Sequence, residues 1–515
     1  MPQNQTIRQI RGEFCIETRP QPCALVIFGA SGDLTRRKLI PSLYHLFQRK
    51  LLSRNFYILG CARTPLDDAA FRSQCREGLA RESGGGSGQD RGGFLERCYY
   101  LAGDYDKPEF YQQIAARLTE LDQAYQSGEN HLFYLATPPN LDTTIAWQLG
   151  RATLTKEFPG GPWRRVVLEK PLGRDLESAL ALDDHLHAVL AERQIYRIDH
   201  YLGKETVQNL LMLRFANAIF EPIWNRRYID HVQITVAENL GIEHRAGYFE
   251  QAGTLRDMFQ NHMLQMLSLV AMEPPASFDA NRVRDEKVKL LRSIRPFPTD
   301  PAQLEQIFVR GQYGAGTQGV PATPSYREEP GVAPDSPVET FVACELRVDN
   351  WRWQGVPFYL RTGKRLAAKA SQIAIVFKAV PHSMFQPIES EDLAPNVLVL
   401  NVQPNEGASL TLQAKHPGPK LCMSSLTMDF TYSEVFGEDP PEAYERLLLD
   451  CMLGDPTLFV RSDDMEVSWA LITPLLETWR AQGEAGRIDP YPPGSWGPAA
   501  ADALLARDGR QWLQP

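Results

Sequence analysis

From Cys23 to Pro171 the chain repeats one unit: a short apolar run, a turn, then a stretch with apolar residues at three- and four-residue spacing. The runs read CALVIFGA, NFYILGCAR, CYYLAGDY, HLFYLATPP and WRRVVLEKP. Strand-like runs separated by helix-like ones predict βαβ units and a parallel sheet. After about residue 200 the texture changes. A helix-like stretch, ETVQNLLMLRFANAIFEPIW, precedes DHVQITVAE, VETFVACELRVD, QIAIVFKAV, NVLVLNVQ, GASLTLQAK and LCMSSLTMDF. Several of these alternate apolar and polar residues, as an antiparallel sheet with one covered face requires. Helical stretches are expected at Leu255–Met272 and Glu442–Met452. The division that follows is a flexible N-terminus over 1–22, a nucleotide-binding domain over 23–200 and an α+β domain over 201–515. Two Gly-rich segments, 81–93 and 312–337, read as a surface insertion and a long loop.

The chain has 515 residues, 43% hydrophobic and 23% charged, enough for a large core. Its formal net charge of −9 repels nucleic acid and anionic membranes. Any anionic substrate must therefore meet a local basic site. No apolar stretch approaches the roughly 20 residues of a membrane span. The charged N-terminus lacks a signal-peptide pattern. Eight scattered cysteines without a C-x-x-C suit reduced thiols in the cytoplasm and predict no metal site.

Gly29-Ala30-Ser31-Gly32-Asp33-Leu34 follows the first strand and opens a helix at Thr35 and Arg36. Glycines admit a pyrophosphate to the backbone, and the helix start supplies free N–H groups. The same turn also serves as a tight strand-to-helix connection with no ligand. The second strand ends at Arg63, where an NAD site places a carboxylate. An arginine suits the 2′-phosphate of NADP. Lys170, after the fifth run, stands where a parallel strand delivers a side chain to the ligand crevice.

Arg197-Ile198-Asp199-His200-Tyr201-Leu202-Gly203-Lys204-Glu205 gathers donors and charges at a domain seam. Gly203 permits a sharp turn, and Lys204 begins a helix. His200, Tyr201 and Lys204 then cluster at a helix start, a natural phosphate site. A second stretch, Arg256 to Leu264, carries His262 among apolar neighbours, as a core histidine or a base. Thr254-x-x-Asp257 fits a capping box. Five residues of α-helix turn roughly 140°, so Asp257 and His262 are expected on different faces.

GASGDLTRRKL, EKPLG, RIDHYLGKE, RDMFQNH and VPFYLRTGKRL, in this order, resemble the glucose-6-phosphate dehydrogenase family, bacterial type, from about Cys23 to the C-terminus. The resemblance implies a Rossmann domain followed by an α+β domain with a large, mostly antiparallel sheet through which subunits pair. It implies NADP as cofactor, glucose 6-phosphate as substrate, and a homodimer or homotetramer. It implies His262 as general base, Asp199 behind it, and Lys170 near both the sugar C1 and the nicotinamide. It further implies His200, Tyr201, Lys204 and Lys369 on the phosphate, with Glu238, Asp257 and Lys364 on the sugar. Two rival readings are an oxidoreductase of glucose–fructose type and a non-catalytic NADP sensor.

Overall fold

Side-by-side pairing of the apolar runs builds the first half. In the computed structural model, which describes residues 19–82, 91–316, 323–385, 389–419, 422–437, 441–483 and 486–515, these runs become β1 (Cys23–Phe28), β2 (Phe56–Ala62), β3 (Cys98–Ala102), β4 (His131–Leu135) and β5 (Arg164–Leu168). A further strand, β6 (Ile195–Ile198), follows. All pair in parallel, in the order β6-β5-β4-β1-β2-β3. Every residue of β1, β2 and β4 is buried, as expected where helices cover both faces. Strand order reverses between β1 and β4, and the crevice beyond their carboxyl ends is where such sheets bind ligands.

The second sheet has nine strands. They are β7 (Ile229–Ala237), β8 (Phe308–Tyr313), β9 (Phe341–Arg347), β10 (Pro357–Gly363), β11 (Ala370–Phe377), β12 (Val397–Gln403), β13 (Gly407–Lys415) and β14 (Met423–Thr431), with one more from the C-terminal region. Two late strands join the sheet edges. The strand β15 (Phe459–Val460) pairs antiparallel with β6 and so returns the chain to the first sheet. The strand β16 (Asp489–Tyr491) runs parallel to β8. The second sheet is antiparallel except at β7–β10 and β8–β16. Among the described residues no helix is long and apolar enough to cross a membrane.

The expected N-terminal flexibility and the insertion near residue 85 fall mostly outside the described residues, as does part of the loop over 312–337. The helix over Leu255–Met272 is present but mixed. Leu255–Met263 is a π-helix and Leu264–Ala271 an α-helix. Strands β8 and β10 lack clear alternation because both their faces are buried, and periodicity does not reveal them.

Candidate active site

The π-helix brings together two side chains expected apart. Its i→i+5 hydrogen bonds make five residues roughly one turn, so Asp257 and His262 share a face. Lys170, just beyond β5, bridges them. Its Nζ stands 2.8 Å from His262 Nε2 and donates to Asp257 Oδ1 at 3.2 Å and the Asp257 carbonyl at 2.8 Å. Thr254 makes no side-chain cap, so the expected capping box does not form. The Asp257 carboxylate also accepts from Tyr248 Oη at 3.1 Å.

On its other ring nitrogen, Nδ1, His262 meets Asp199 Oδ1 at 2.5 Å. Asp199 follows β6, and the same oxygen accepts from the Tyr201 amide at 2.9 Å. His262 is fully buried and Asp199 is 2% exposed. Burial, reinforced by the Lys170 charge, pulls the imidazole below the ordinary histidine value, against the pull of Asp199. Burial works to raise the Asp199 carboxyl, yet the His262 charge and hydrogen bond, with His200 and Lys170, hold it well below the usual range. Burial likewise fails to raise Asp257, because Lys170, Lys364 and Arg245 hold it down. The resting arrangement is a neutral imidazole backed by a carboxylate and faced by a lysine.

Further basic groups adjoin this centre. Tyr201 stacks on His262 with centroids 4.3 Å apart, and the His200 ring lies 4.4 Å from it. Burial, then the charges of His262, Lys170 and Lys204, depress His200 strongly. Lys204 is the N-cap of helix Glu205–Phe215; its Nζ lies 4.2 Å from the Tyr201 centroid and donates to Gln403 Oε1 at 2.5 Å. Burial brings the Lys204 ammonium down to about 8, helped by the Lys369 charge and opposed by Glu406. Lys369 is exposed and close enough for that influence. Lys364, after β10, pairs with Glu238 at 2.5 Å and approaches Asp257 at 3.9 Å.

The motif around His200 divides its labour. Arg197 is fully buried and turns away, binding Asp183 at 2.5 Å and Glu192 at 2.8 Å. With His187 these two carboxylates form a tight cluster, and among the described residues Arg197 is the cation that occupies it. Gly203 does not take the positive φ of a sharp turn. It is small because helix Ala443–Leu453 crosses there, where a Cβ would lie 2.7 Å from the Ala443 carbonyl oxygen.

At the nucleotide crevice Gly29 has φ +84°, and a Cβ there would sit 2.3 Å from the Ala136 carbonyl oxygen. Ser31 Oγ meets Thr64 Oγ1 at 2.9 Å across the crevice mouth, and Thr35 Oγ1 donates to the Gly29 carbonyl at 3.2 Å. Ala30 and Thr35 are fully buried. Asp33 pairs with Arg37 at 3.2 Å, while Arg36 and Arg63 are exposed, and Arg63 has no hydrogen-bonding or ion-pair partner among the described residues. Leu34 caps a π-helix, Thr35–Leu39. A close-approach backbone beside free guanidinium groups fits a phosphorylated dinucleotide.

Sequence reading missed several residues that support the site. Tyr105 Oη accepts from the Gly29 amide at 3.0 Å. Tyr248 holds Asp257, while Gln403 and Ser371 anchor Lys204 and Tyr201. None carries a local signal: Tyr105, Ser371 and Gln403 reach the site from distant elements, and Tyr248 from the helix Ala246–Thr254 that leads into the π-helix.

Family models agree with this layout. "Glucose-6-phosphate dehydrogenase, NAD binding domain" matches residues 26–209, and "Glucose-6-phosphate dehydrogenase, C-terminal domain" matches residues 211–513. A glucose-6-phosphate 1-dehydrogenase of Aggregatibacter actinomycetemcomitans is 47% identical over 497 residues, 96% of this chain and 98% of that protein. The Bacillus subtilis protein of the same name is 43% identical over 502 residues, 96% and 99% of the two chains. A solved glucose-6-phosphate dehydrogenase in complex with its substrate glucose-6-phosphate superposes with TM-score 0.88 at 37% identity, covering 97% of this chain and 100% of that one. A Mycobacterium avium glucose-6-phosphate 1-dehydrogenase superposes with TM-score 0.82 at 36% identity, covering 97% and 99%.

Proposed function

The chain belongs to the glucose-6-phosphate dehydrogenase family, and on that premise we propose that it oxidises β-D-glucose 6-phosphate at C1 to 6-phosphoglucono-δ-lactone with NADP, opening the oxidative pentose phosphate pathway. The observation that carries the reading is the Asp199–His262 pair facing Lys170 beside the nucleotide crevice.

Oxidation at C1 removes a proton from the hydroxyl and a hydride from the carbon. His262 Nε2 takes the proton; this needs the neutral ring that burial and Lys170 favour. Asp199 fixes the Nδ1–H tautomer and balances the imidazolium that forms. Lys170, now at Nε2, yields that place to the C1 hydroxyl and stays beside it to stabilise charge developing on oxygen. His200, Tyr201, Lys204 and Lys369 grip the phosphate, while Glu238, Asp257 and Lys364 bind the sugar hydroxyls. Gripping the remote phosphate orients C1, which is where binding energy aids the chemical step. NADP, when bound, supplies the hydride acceptor. The loop Gly29–Leu34, Thr35 and Arg36 would hold its phosphates through backbone and guanidinium donors, and Arg63 its 2′-phosphate.

A second copy of the chain covers the outer face of β14. Leu426, Met428 and Phe430 alternate along that strand and are 52%, 49% and 36% exposed, an apolar row on an edge strand. This supports a homo-oligomer built through the second sheet.

The deciding assay compares sugars. With NADP, glucose 6-phosphate yields NADPH at least about tenfold faster than free glucose, roughly 1.4 kcal/mol of phosphate-derived transition-state binding. Equal rates, or no turnover, overturn the assignment.

A further inference from the structure

Among the described residues five arginines are at least nine-tenths buried, and four of them commit their guanidinium groups to hydrogen bonds. Arg197 binds Asp183 and Glu192, and Arg214 binds Glu221 and two carbonyls. Arg284 binds Asn281 and a carbonyl, and Arg361 binds Thr235 and the Leu513 carbonyl. Arg310, on β8, is the exception. It is 9% exposed, and its side chain makes no hydrogen bond or ion pair among the described residues. The Trp479 ring lies 4.4 Å from the guanidinium carbon to the centroid, and Gly486 stands against the same group, where a Cβ would lie 2.6 Å from its Nη2. Glu339 and Glu305 act on it only across a distance, and burial pulls its basicity down.

The Arg310 side chain lines a cavity without a carboxylate or carbonyl partner among the described residues, which leaves its donors open to an anion. Arg310 lines a cavity of about 210 Å³ between β8, β16 and the helices Pro301–Ile307, Ser462–Gln482 and Ala499–Ala506. Arg487 and Arg507 line the same cavity. Asp489 engages Arg487 at 2.9 Å, whereas the carboxylate nearest Arg507, Glu345, is 3.7 Å away. Glu305 is the remaining acidic group on the wall. Among the described wall residues cations outnumber anions, three guanidinium groups against Glu305 and Asp489. The cavity shares no residue with the site around His262.

We infer that this cavity binds a small phosphate-bearing anion, with Arg310 as its principal anchor and Arg507 as a rim contact. Guanidinium groups present paired donors that match phosphate oxygens, and the Trp479 face holds the Arg310 plane in place. An anion that binds the folded chain and not the unfolded one stabilises the fold by mass action.

Thermal melting with inorganic phosphate tests this, with chloride at matched ionic strength as the control. The Lys204→Ala variant serves as background, so that the sugar-phosphate site contributes little. Millimolar phosphate is expected to raise Tm by about 2 °C or more in that background, and the rise disappears when Arg310→Gln is added. An equal rise in the double variant, a rise matched by chloride, or no rise in Lys204→Ala overturns the inference. A crystal soaked in tungstate gives a readout that does not depend on the variant folding. Anomalous density beside Arg310 supports the site, and a soaked crystal with none there overturns it.

Discussion

The proposed chemistry is concentrated in one imidazole, His262, and the two groups that flank it, Asp199 and Lys170. Replacing His262 with Asn removes the proton acceptor while keeping a polar side chain. The expected result is a fall in kcat of about 10²-fold or more with a modest change in KM; near-normal kcat would return His262 to the core. Because the ring titrates below the ordinary histidine value, the base form persists through neutrality, and kcat/KM should fall only on the acid side of about pH 6.5. Lys204 sets the alkaline behaviour. Its ammonium is charged below about 8 and neutral above it, so KM for glucose 6-phosphate should rise as pH passes that value. In Lys204→Gln the rise should vanish and KM should be high throughout; a persisting rise assigns the titration to another group. Arg63→Ala should raise KM for NADP far more than for NAD, and a parallel rise removes Arg63 from the 2′-phosphate. His200, Tyr201 and Lys204 stood out in the sequence because they fall in one short, dense run, whereas the proposed role of His262 came from the family resemblance and not from its neighbours. The roles of Tyr105, Tyr248 and Gln403 were not legible, since each lies in otherwise ordinary sequence.

Among the elements, the π-helix Leu255–Met263 matters most to the site. Read as an α-helix, the stretch separates Asp257 from His262 by roughly 140°; wound as a π-helix, it aligns them on Lys170. Hydrophobic spacing does not separate the two windings over nine residues, since the whole segment packs into the core with only its polar side chains selecting a direction. The entry to this element depends on Gly253, whose φ is +62° and where a Cβ would lie 2.5 Å from Glu339 Oε1. That carboxylate also receives the Leu255 amide at 2.9 Å. Gly253→Ala should therefore cost about 1–3 kcal/mol from backbone strain alone, lowering the urea midpoint with an unchanged m-value. A midpoint equal to that of the parent would mean the segment relaxes without its left-handed residue. Gly203 gives the complementary lesson: it lies in the expected turn, closed by the Lys204 amide on the Tyr201 carbonyl at 3.1 Å, but what excludes a side chain there is the crossing helix and not a positive φ.

For the whole molecule, two sheets meet at the chain segment from β6 to helix Glu205–Phe215, and that junction gathers the site. Residues from β5, β6, the π-helix, β10 and the end of β12 converge there although they are up to about two hundred positions apart, as in the contact of Lys204 with Gln403. The far end of the second sheet is exposed and apolar, and it is the surface that the proposed homo-oligomer covers. Leu426→Glu combined with Met428→Glu should shift the protein toward monomer in size-exclusion chromatography or analytical ultracentrifugation. An unchanged oligomer would place the subunit contact elsewhere.

Local order was determined by the sequence itself: the alternation of apolar runs and helices, the glycine turn after β1, and the dense charged motif from Arg197 to Glu205. Those properties depend on residues within a few positions of each other. Tertiary structure alone decided the winding at Asp257 and His262, the inward turn of Arg197, and the meeting of Asp199 with His262 sixty-three residues away. Such contacts arise from how buried surfaces fit together, and packing between distant segments leaves no periodic trace in either one.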